Sequence, residues 1–124
     1  MTRKMTGKIQ TVLGPIDPKD LGTTLTHEHL LMDTSAFRLI PQEASKRAKY
    51  YTGSVRMGLF DIDAAIVEVN LYKQYGGKSL VECTPMDLHR DPIGLSRISR
   101  ATGVNIIMGT SYYVGHSHPS DMDV

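Results

Sequence analysis

The chain contains 124 residues with a mass of 13.7 kDa, which is enough for one compact domain with a hydrophobic core and too little for two. Its 14 Lys and Arg residues nearly balance 13 Asp and Glu residues, so the net charge of +1 creates no field that would attract nucleic acid or an anionic membrane. The hydrophobic content of 40% is that of an ordinary globular protein, and no apolar run approaches the roughly 20 residues of a membrane helix.

The cysteine content and the first residues bear on the cellular compartment. Cys83 is the single cysteine, so no internal disulfide can form. Residues 1–7 carry basic charge without the apolar stretch of a signal peptide behind them. We therefore expect a cytoplasmic protein whose partners include neither nucleic acid nor a membrane.

Two strands and one helical turn are predicted in the first 30 residues. Residues 8–12 alternate polar and apolar side chains ahead of a Gly-Pro pair, which predicts a strand closed by a turn at that pair. Asp17 and Pro18 suit the cap and the first position of about one helical turn. Residues 23–30 are rich in β-branched side chains and predict a second strand.

Residues 31–58 show neither helical nor strand periodicity. Connections of this length are uncommon unless they are functional or disordered. A short helix over residues 43–50 is compatible with the sequence. The basic residues of this region most often form a solvated face; they are Lys46, Arg47, Lys49 and Arg56.

The clearest helix of the chain begins at Asp61 or Asp63 and ends at Tyr75. Its apolar residues recur three and four positions apart, as one buried helix face requires. Gly76 and Gly77 follow and supply the left-handed stop. The apolar positions are Ile62, Ala65, Ile66, Val69 and Tyr72.

A second helix lies between two further predicted strands. Residues 79–84 form the first strand, and Asp91 followed by Pro92 opens the helix, whose apolar face is Leu95, Ile98 and Ala101. Residues 104–108 are nearly all apolar, which is typical of a strand buried on both faces. Strands and helices alternating at this spacing predict two βαβ crossovers and a parallel sheet.

Two histidines on the second strand are the leading candidates for chemistry. Strand side chains alternate, so His27 and His29 should project from one face and Glu28 from the other. Two imidazoles make half of a metal site, since catalytic zinc usually takes three protein ligands. The same pair can also be two histidines satisfied within a loop or core. The carboxyl end of a strand in a βαβ series is where active sites of barrels and open α/β sheets lie.

Other candidates carry weaker signals. His116 and His118 form a second pair, but in a segment that is predicted to be an irregular loop. Cys83 is most simply a small core residue. Glu82 and Asp87 can reach a site at the end of their strand, and Asp87 can equally stabilise its own turn. Tyr112 and Tyr113 can line a pocket wall or pack elsewhere.

Common nucleotide-binding and hydrolase motifs fail on inspection. His27-Glu28 would need a histidine at position 31 to be a helical zinc-protease motif, and Leu31 stands there. Gly77-Lys78-Ser79 lacks the earlier glycine of a phosphate-binding loop and precedes a strand. No G-x-S-x-G elbow is present. Nucleotide binding and serine-hydrolase chemistry are therefore disfavoured.

Four ordered stretches resemble the phosphotriesterase family of the amidohydrolase superfamily. The resemblance covers almost the whole chain, and its motifs occur in the family's order. The stretches are the leader Gly-Lys-Ile-Gln-Thr-Val-Leu-Gly over residues 7–14, Thr-His-Glu-His-Leu over 26–30, Leu-Val-Glu-Cys-Thr-Pro over 80–85 with Arg-Asp-Pro over 90–92, and residues 102–110 with Tyr112 and Tyr113.

The resemblance implies an α/β fold that is the N-terminal part of a (β/α)8 TIM barrel, comprising the leader strands and about three βα units over residues 1–124. Such a barrel needs roughly 250 residues, so the fold is incomplete as given. Members of the family hydrolyse phosphotriesters, lactones or other small-molecule esters at a centre of two divalent metal ions, commonly zinc. A hydroxide that bridges the two ions attacks phosphorus or carbonyl carbon.

The same resemblance assigns residues by position. His27 and His29 would be two ligands of the more buried metal ion, Tyr113 and Leu88 would line the substrate pocket, and His118 would be structural. His89 stands where relatives usually carry a small residue. The family's bridging carboxylate, two further histidines and catalytic aspartate come from later strands. No catalytic residue is therefore expected within this chain, and we expect the chain by itself to lack turnover.

Two alternatives from other classes remain open. In one, the chain is a non-catalytic half-barrel that self-associates into a homo-oligomer through its open sheet edges, or binds zinc weakly. In the other, it is a small α/β domain whose histidines bind nothing. The sequence leaves the substrate and the metal unidentified, because imidazole suits several divalent ions.

Overall fold

The computed structural model describes residues 6–34, 58–113, 115 and 118–122. The helix predicted over residues 43–50 and the basic cluster around it lie outside the described residues. The strands are β1 (Ile9–Thr11), β2 (Gly14–Ile16), β3 (Thr24–Glu28), β4 (Met32–Asp33), β5 (Gly58–Leu59), β6 (Ser79–Glu82) and β7 (Asn105–Met108). The helices are α1 (Ile62–Gln74) and α2 (Pro92–Thr102), with 3-10 turns at Pro18–Asp20 and Met86–Leu88.

A three-stranded parallel sheet organises the chain, with β6 between β3 and β7. The crossover from β3 to β6 contains β4, β5 and then the helix α1. The crossover from β6 to β7 contains α2. This arrangement confirms the predicted βαβ crossovers and the mixed α/β fold class. The described residues form an open sheet with helices and no closed barrel.

Both helices begin at an aspartate, as predicted. The carboxylate of Asp61 accepts the amide N–H of Asp63 at 2.9 Å and that of Ala64 at 3.1 Å. The carboxylate of Asp91 accepts the amide N–H of Gly94 at 2.9 Å. These bonds satisfy amides that have no partner within the helix. At the other end of α2, Gly103 takes a φ of 72°, a conformation in which a Cβ would be strained.

The hydrophobic core lies between the sheet and the two helices. Its centre is formed by Leu80 of β6, Ile106 of β7 and Ile98 of α2, each with at most 2% of its surface exposed. The remaining buried members are Leu31, Ala65, Val69, Leu95 and Val104. One prediction was wrong: Ala101 is exposed, and Thr102 is buried in its place. The Thr102 hydroxyl donates to the Ile98 carbonyl at 2.8 Å, which satisfies its polar atom inside the core.

The leading hairpin differs from the prediction in two details. The turn falls between Thr11 and Gly14, so that the Gly-Pro pair lies within β2 and not in the turn. The hydroxyl of Thr11 explains this position, because it donates to the Gly14 carbonyl at 2.7 Å and accepts the amide of Leu13 at 3.3 Å. Asp17 and Pro18 take the predicted cap and first positions of the following 3-10 turn, but the Asp17 carboxylate makes no capping hydrogen bond and binds the ammonium of Lys8 instead.

The strand β7 is less buried than its apolar sequence indicates. Only Ile106 is buried, and the other three residues are half-buried, because within the described residues the helices cover one face of the sheet. The edge of β7 away from β6 is partly covered, since the Val12 amide donates to the Ile106 carbonyl at 2.9 Å. Within the described ranges, neither helix has the length and apolar character that crossing a bilayer requires.

Candidate metal-binding site at the carboxyl ends of the strands

The two imidazoles predicted on the second strand lie side by side at its carboxyl end. His27 is the fourth residue of β3, and His29 follows the strand by one residue. Their ring centroids are 5.5 Å apart and their planes are inclined by 68°. His27 is exposed and His29 is half-buried. The juxtaposition expected from strand alternation is therefore present.

The intervening carboxylate faces the helical side of the sheet. Glu28 lines a groove together with Val69 and Tyr72 of α1. The pairing of β3 with β6 is irregular between Leu25 and Glu28, so that Leu25 lines the same groove. Glu28 therefore lies on the opposite face from the two imidazoles, as the alternation predicts.

A fully buried pair of polar residues lies next to His29 at the end of β6. Glu82 and Thr84 both have 0% of their surface exposed. The Nδ1 atom of His29 is 2.9 Å from the Thr84 hydroxyl, and that hydroxyl donates to Glu82. Glu82 also accepts the amides of Leu30 at 3.3 Å and Thr84 at 3.1 Å. The carboxylate thus joins the end of β3 to the end of β6.

Two contacts join the loop after β6 to the loop after β7. The Asp87 carboxylate accepts the backbone amide of Tyr113 at 3.1 Å and 3.2 Å through its two oxygens. The Arg90 guanidinium donates to the Gly109 carbonyl at 2.6 Å. Asp87 therefore fixes the neighbouring loop as well as lying in its own 3-10 turn. Together these contacts position the segment that carries Tyr113.

The two residues assigned to a substrate pocket differ in exposure. Tyr113 has 55% of its surface exposed, whereas Leu88 has 3% exposed. Their role in substrate binding stays a prediction. His89 follows the 3-10 turn in a left-handed conformation with φ 60° and ψ 47°, which non-glycine residues rarely adopt. The resemblance to the family leads us to expect a small residue at this position, and the left-handed backbone is a physical reason for one.

Among the described residues, His118 and Cys83 contact groups other than the histidine pair. The ring of His118 contacts Tyr112, with centroids 5.5 Å apart, and His116 lies outside the described residues. Cys83 is half-buried, and its thiol lies 3.9 Å from the carbonyl of Thr26.

The histidine pair fits a metal ion as a partial ligand set. The Thr84 contact engages Nδ1 of His29 and leaves Nε2 as its available nitrogen. Among the described residues no group of three or more His, Cys, Asp or Glu side chains is arranged to hold a metal ion. The site as described therefore offers two imidazoles, and a catalytic zinc site would need a further ligand.

Residues 7–122 match the model of the phosphotriesterase family. The chain belongs to that family. It is 38% identical over 133 residues to N-acetyltaurine hydrolase of Homo sapiens, covering 94% of this chain and 38% of the relative. Enzymes of the family are metal-dependent hydrolases.

Solved structures agree with this membership. A resiniferatoxin-binding protein from Rhodobacter sphaeroides is 37% identical with a TM-score of 0.77, covering 93% of this chain and 37% of that protein. A lactonase from Listeria monocytogenes is 29% identical with a TM-score of 0.63, covering 82% of this chain and 27% of that protein. The chain thus spans less than two fifths of the length of these relatives.

Sequence reasoning did not single out Thr84 or the role of Arg90. Thr84 contacts His29 from 55 positions away, and Arg90 reaches Gly109 from 19 positions away. A hydroxyl residue two positions beyond a glutamate that ends a strand is the signal that would have drawn attention to Thr84.

Proposed function

We propose that this chain carries the first pair of metal ligands, His27 and His29, of a hydrolase that acts on ester bonds of small molecules. The observation that supports the proposal most directly is the adjacency of the two imidazoles at the carboxyl end of β3, 5.5 Å apart between ring centroids. Parallel α/β folds place active sites at this end of their strands. The match to a family of metal-dependent hydrolases supports the same reading.

Zinc is the proposed metal, with two ions in the complete site. The chemistry that a divalent ion supplies when bound is Lewis acidity and the activation of water as a nucleophile. The contribution of this chain is to bind through His27 and His29 and to orient His29 through Thr84. Asp87 holds Tyr113 in the loop after β7, where its exposed ring can contact a substrate.

The substrate class is a carboxylic ester, a lactone or a phosphotriester. A lactonase and a phosphotriesterase among the structural neighbours support these classes. The name of the human relative specifies an N-acetyl compound, which contains an amide bond. Amide hydrolysis is therefore the second candidate reaction, and it uses the same attack on a carbonyl carbon. A cytoplasmic location is proposed with it, from the cysteine content.

Zinc titration of the chain by calorimetry tests the ligand assignment. We expect weak binding, because two imidazoles leave the coordination of the ion incomplete. The variants His27→Ala and His29→Ala should each abolish the heat of binding, and His118→Ala, which removes a histidine in contact with Tyr112, should leave it unchanged. Binding that survives in His27→Ala and His29→Ala would contradict the proposal.

Hydrolysis assays complete the test. The chain with added zinc is offered a lactone, a dialkyl aryl phosphate and N-acetyltaurine. We expect no turnover by the chain alone, because the described residues offer only two ligands and no group of three. Zinc-dependent turnover that disappears in His27→Ala would overturn that expectation, and the substrate consumed would decide between ester and amide chemistry.

A further inference from the structure

The hydrogen bonds around His29 determine which of its ring nitrogens carries the proton. The amides of Leu30 and Thr84 can only donate, and they bind the two different oxygens of Glu82. Both oxygens of Glu82 therefore act as acceptors, and an ionised carboxylate has no hydrogen to donate. The Thr84 hydroxyl has one hydrogen, which it donates to Oε1 of Glu82.

This use of the hydroxyl hydrogen leaves Thr84 only as an acceptor towards His29. The 2.9 Å contact between the Thr84 oxygen and Nδ1 of His29 then requires a hydrogen on Nδ1. A neutral imidazole carries one ring hydrogen, so Nε2 of His29 has a free lone pair. A metal ion binds to that form of the nitrogen.

We propose that Thr84, held by Glu82, is a positioning residue that fixes the tautomer and the ring orientation of His29 for metal binding. The inference rests on the proposed function, because that proposal identifies His29 as a ligand of a metal ion. A chain of hydrogen bonds from a carboxylate through a hydroxyl to a ligating imidazole performs the task that a direct carboxylate or carbonyl partner performs at many metal sites.

Burial gives the arrangement its rigidity. Glu82 and Thr84 are completely buried, and within the described residues every buried side-chain nitrogen and oxygen has a hydrogen-bond partner. Rotation of Thr84 away from His29 would leave its hydroxyl or the Glu82 carboxylate without a partner inside the protein, which is costly. His27, in contrast, is exposed, so the structure orders one of the two imidazoles more strongly than the other.

The tautomer is measured first, in the metal-free chain, by the 15N chemical shifts of the imidazole nitrogens at about pH 8, above the ordinary histidine pKa of about 6.5. We expect His29 as the Nδ1–H tautomer. Exposed His89 serves as the internal reference and should show the Nε2–H tautomer that free histidine prefers. Finding His29 in the Nε2–H form would overturn the inference without any variant.

Zinc affinity is measured next in a matched set of variants. Thr84→Val removes the hydroxyl at nearly constant volume and should lower the affinity by about 10- to 100-fold, the usual effect of losing such a partner. Thr84→Ser keeps the hydroxyl and should restore both the affinity and the Nδ1–H signal. Thr102→Val removes another buried hydroxyl at the far end of α2 and should change neither.

The outcomes separate this inference from the proposed function. Unchanged zinc affinity in Thr84→Val would overturn the positioning role while the metal site itself stands. Absence of zinc binding in the unmodified chain would overturn the metal site, and it would also overturn the role of Thr84 in positioning His29 for a metal ion. Equal loss of affinity in Thr84→Val and Thr102→Val would show a general loss of stability and would also overturn the inference.

Discussion

Two regions of the molecule are equally buried but are held together by different interactions. Between the sheet and the helices, Ile98 and Ile106 are completely buried among other apolar side chains. At the carboxyl ends of the strands, Glu82 and Thr84 are also completely buried, but hydrogen bonds join them to each other, to His29 and to the amide of Leu30. The first region depends on apolar area and volume, and the second on the position of individual atoms.

The comparison shows that the two regions respond differently to small changes in structure. Apolar packing tolerates small adjustments as long as volume is conserved. A buried carboxylate is tolerated only while its partners stay in place. The cluster of Glu82, Thr84 and His29 thus restricts the positions of its side chains more than apolar packing would. One of those side chains is the proposed metal ligand His29.

The largest expected effect is in the apolar region. Ile98→Ala should lower the free energy of unfolding by about 2–5 kcal/mol, because it leaves a cavity at the centre of the core. Urea denaturation followed by circular dichroism measures the change. Ile93→Ala on the same helix, where 76% of the residue's surface is exposed, should cost at most about 0.5 kcal/mol. Equal costs for the two variants would contradict the placement of the core.

A smaller effect is expected in the polar region. Glu82→Gln replaces one carboxylate oxygen by an amide group that cannot accept a hydrogen bond, and should lower the free energy of unfolding by about 1–3 kcal/mol. The same denaturation experiment reports it. Glu68→Gln makes the same chemical change at an exposed position of α1 and should be nearly neutral. If Glu82→Gln were also neutral, the two regions would not differ in the way described.

The smallest expected effect is a gain in stability, in the loop between β6 and α2. His89→Gly should raise the free energy of unfolding by roughly 0.5–1 kcal/mol, because glycine relieves a left-handed backbone at a cost in unfolded-state entropy. His89→Ala keeps the Cβ atom and should give no gain. Equal stabilisation by both substitutions would locate the effect in the imidazole and not in the backbone.

Local patterns were sufficient for much of the fold. The aspartate caps and apolar spacing predicted α1 and α2 to within a few residues, and the alternation of strands and helices predicted the parallel sheet. These features depend on neighbours within about four positions of each other, which a single sequence contains. The burial of Thr102 in place of Ala101 was missed, because the Thr102 hydroxyl finds a local partner that composition does not reveal.

Motif order and strand alternation are properties of the chain, so the family, the order of the elements and the adjacency of His27 and His29 could be predicted without a structure. The folded chain was needed to reveal that Lys8 pairs with Asp17, that Asp87 holds Tyr113 and that Thr84 contacts His29. These contacts join residues between 9 and 55 positions apart. Pairing of β1 with β2 sets the first contact. The relative placement of β3, β6 and β7 sets the other two, and that placement comes from packing the helices against the sheet.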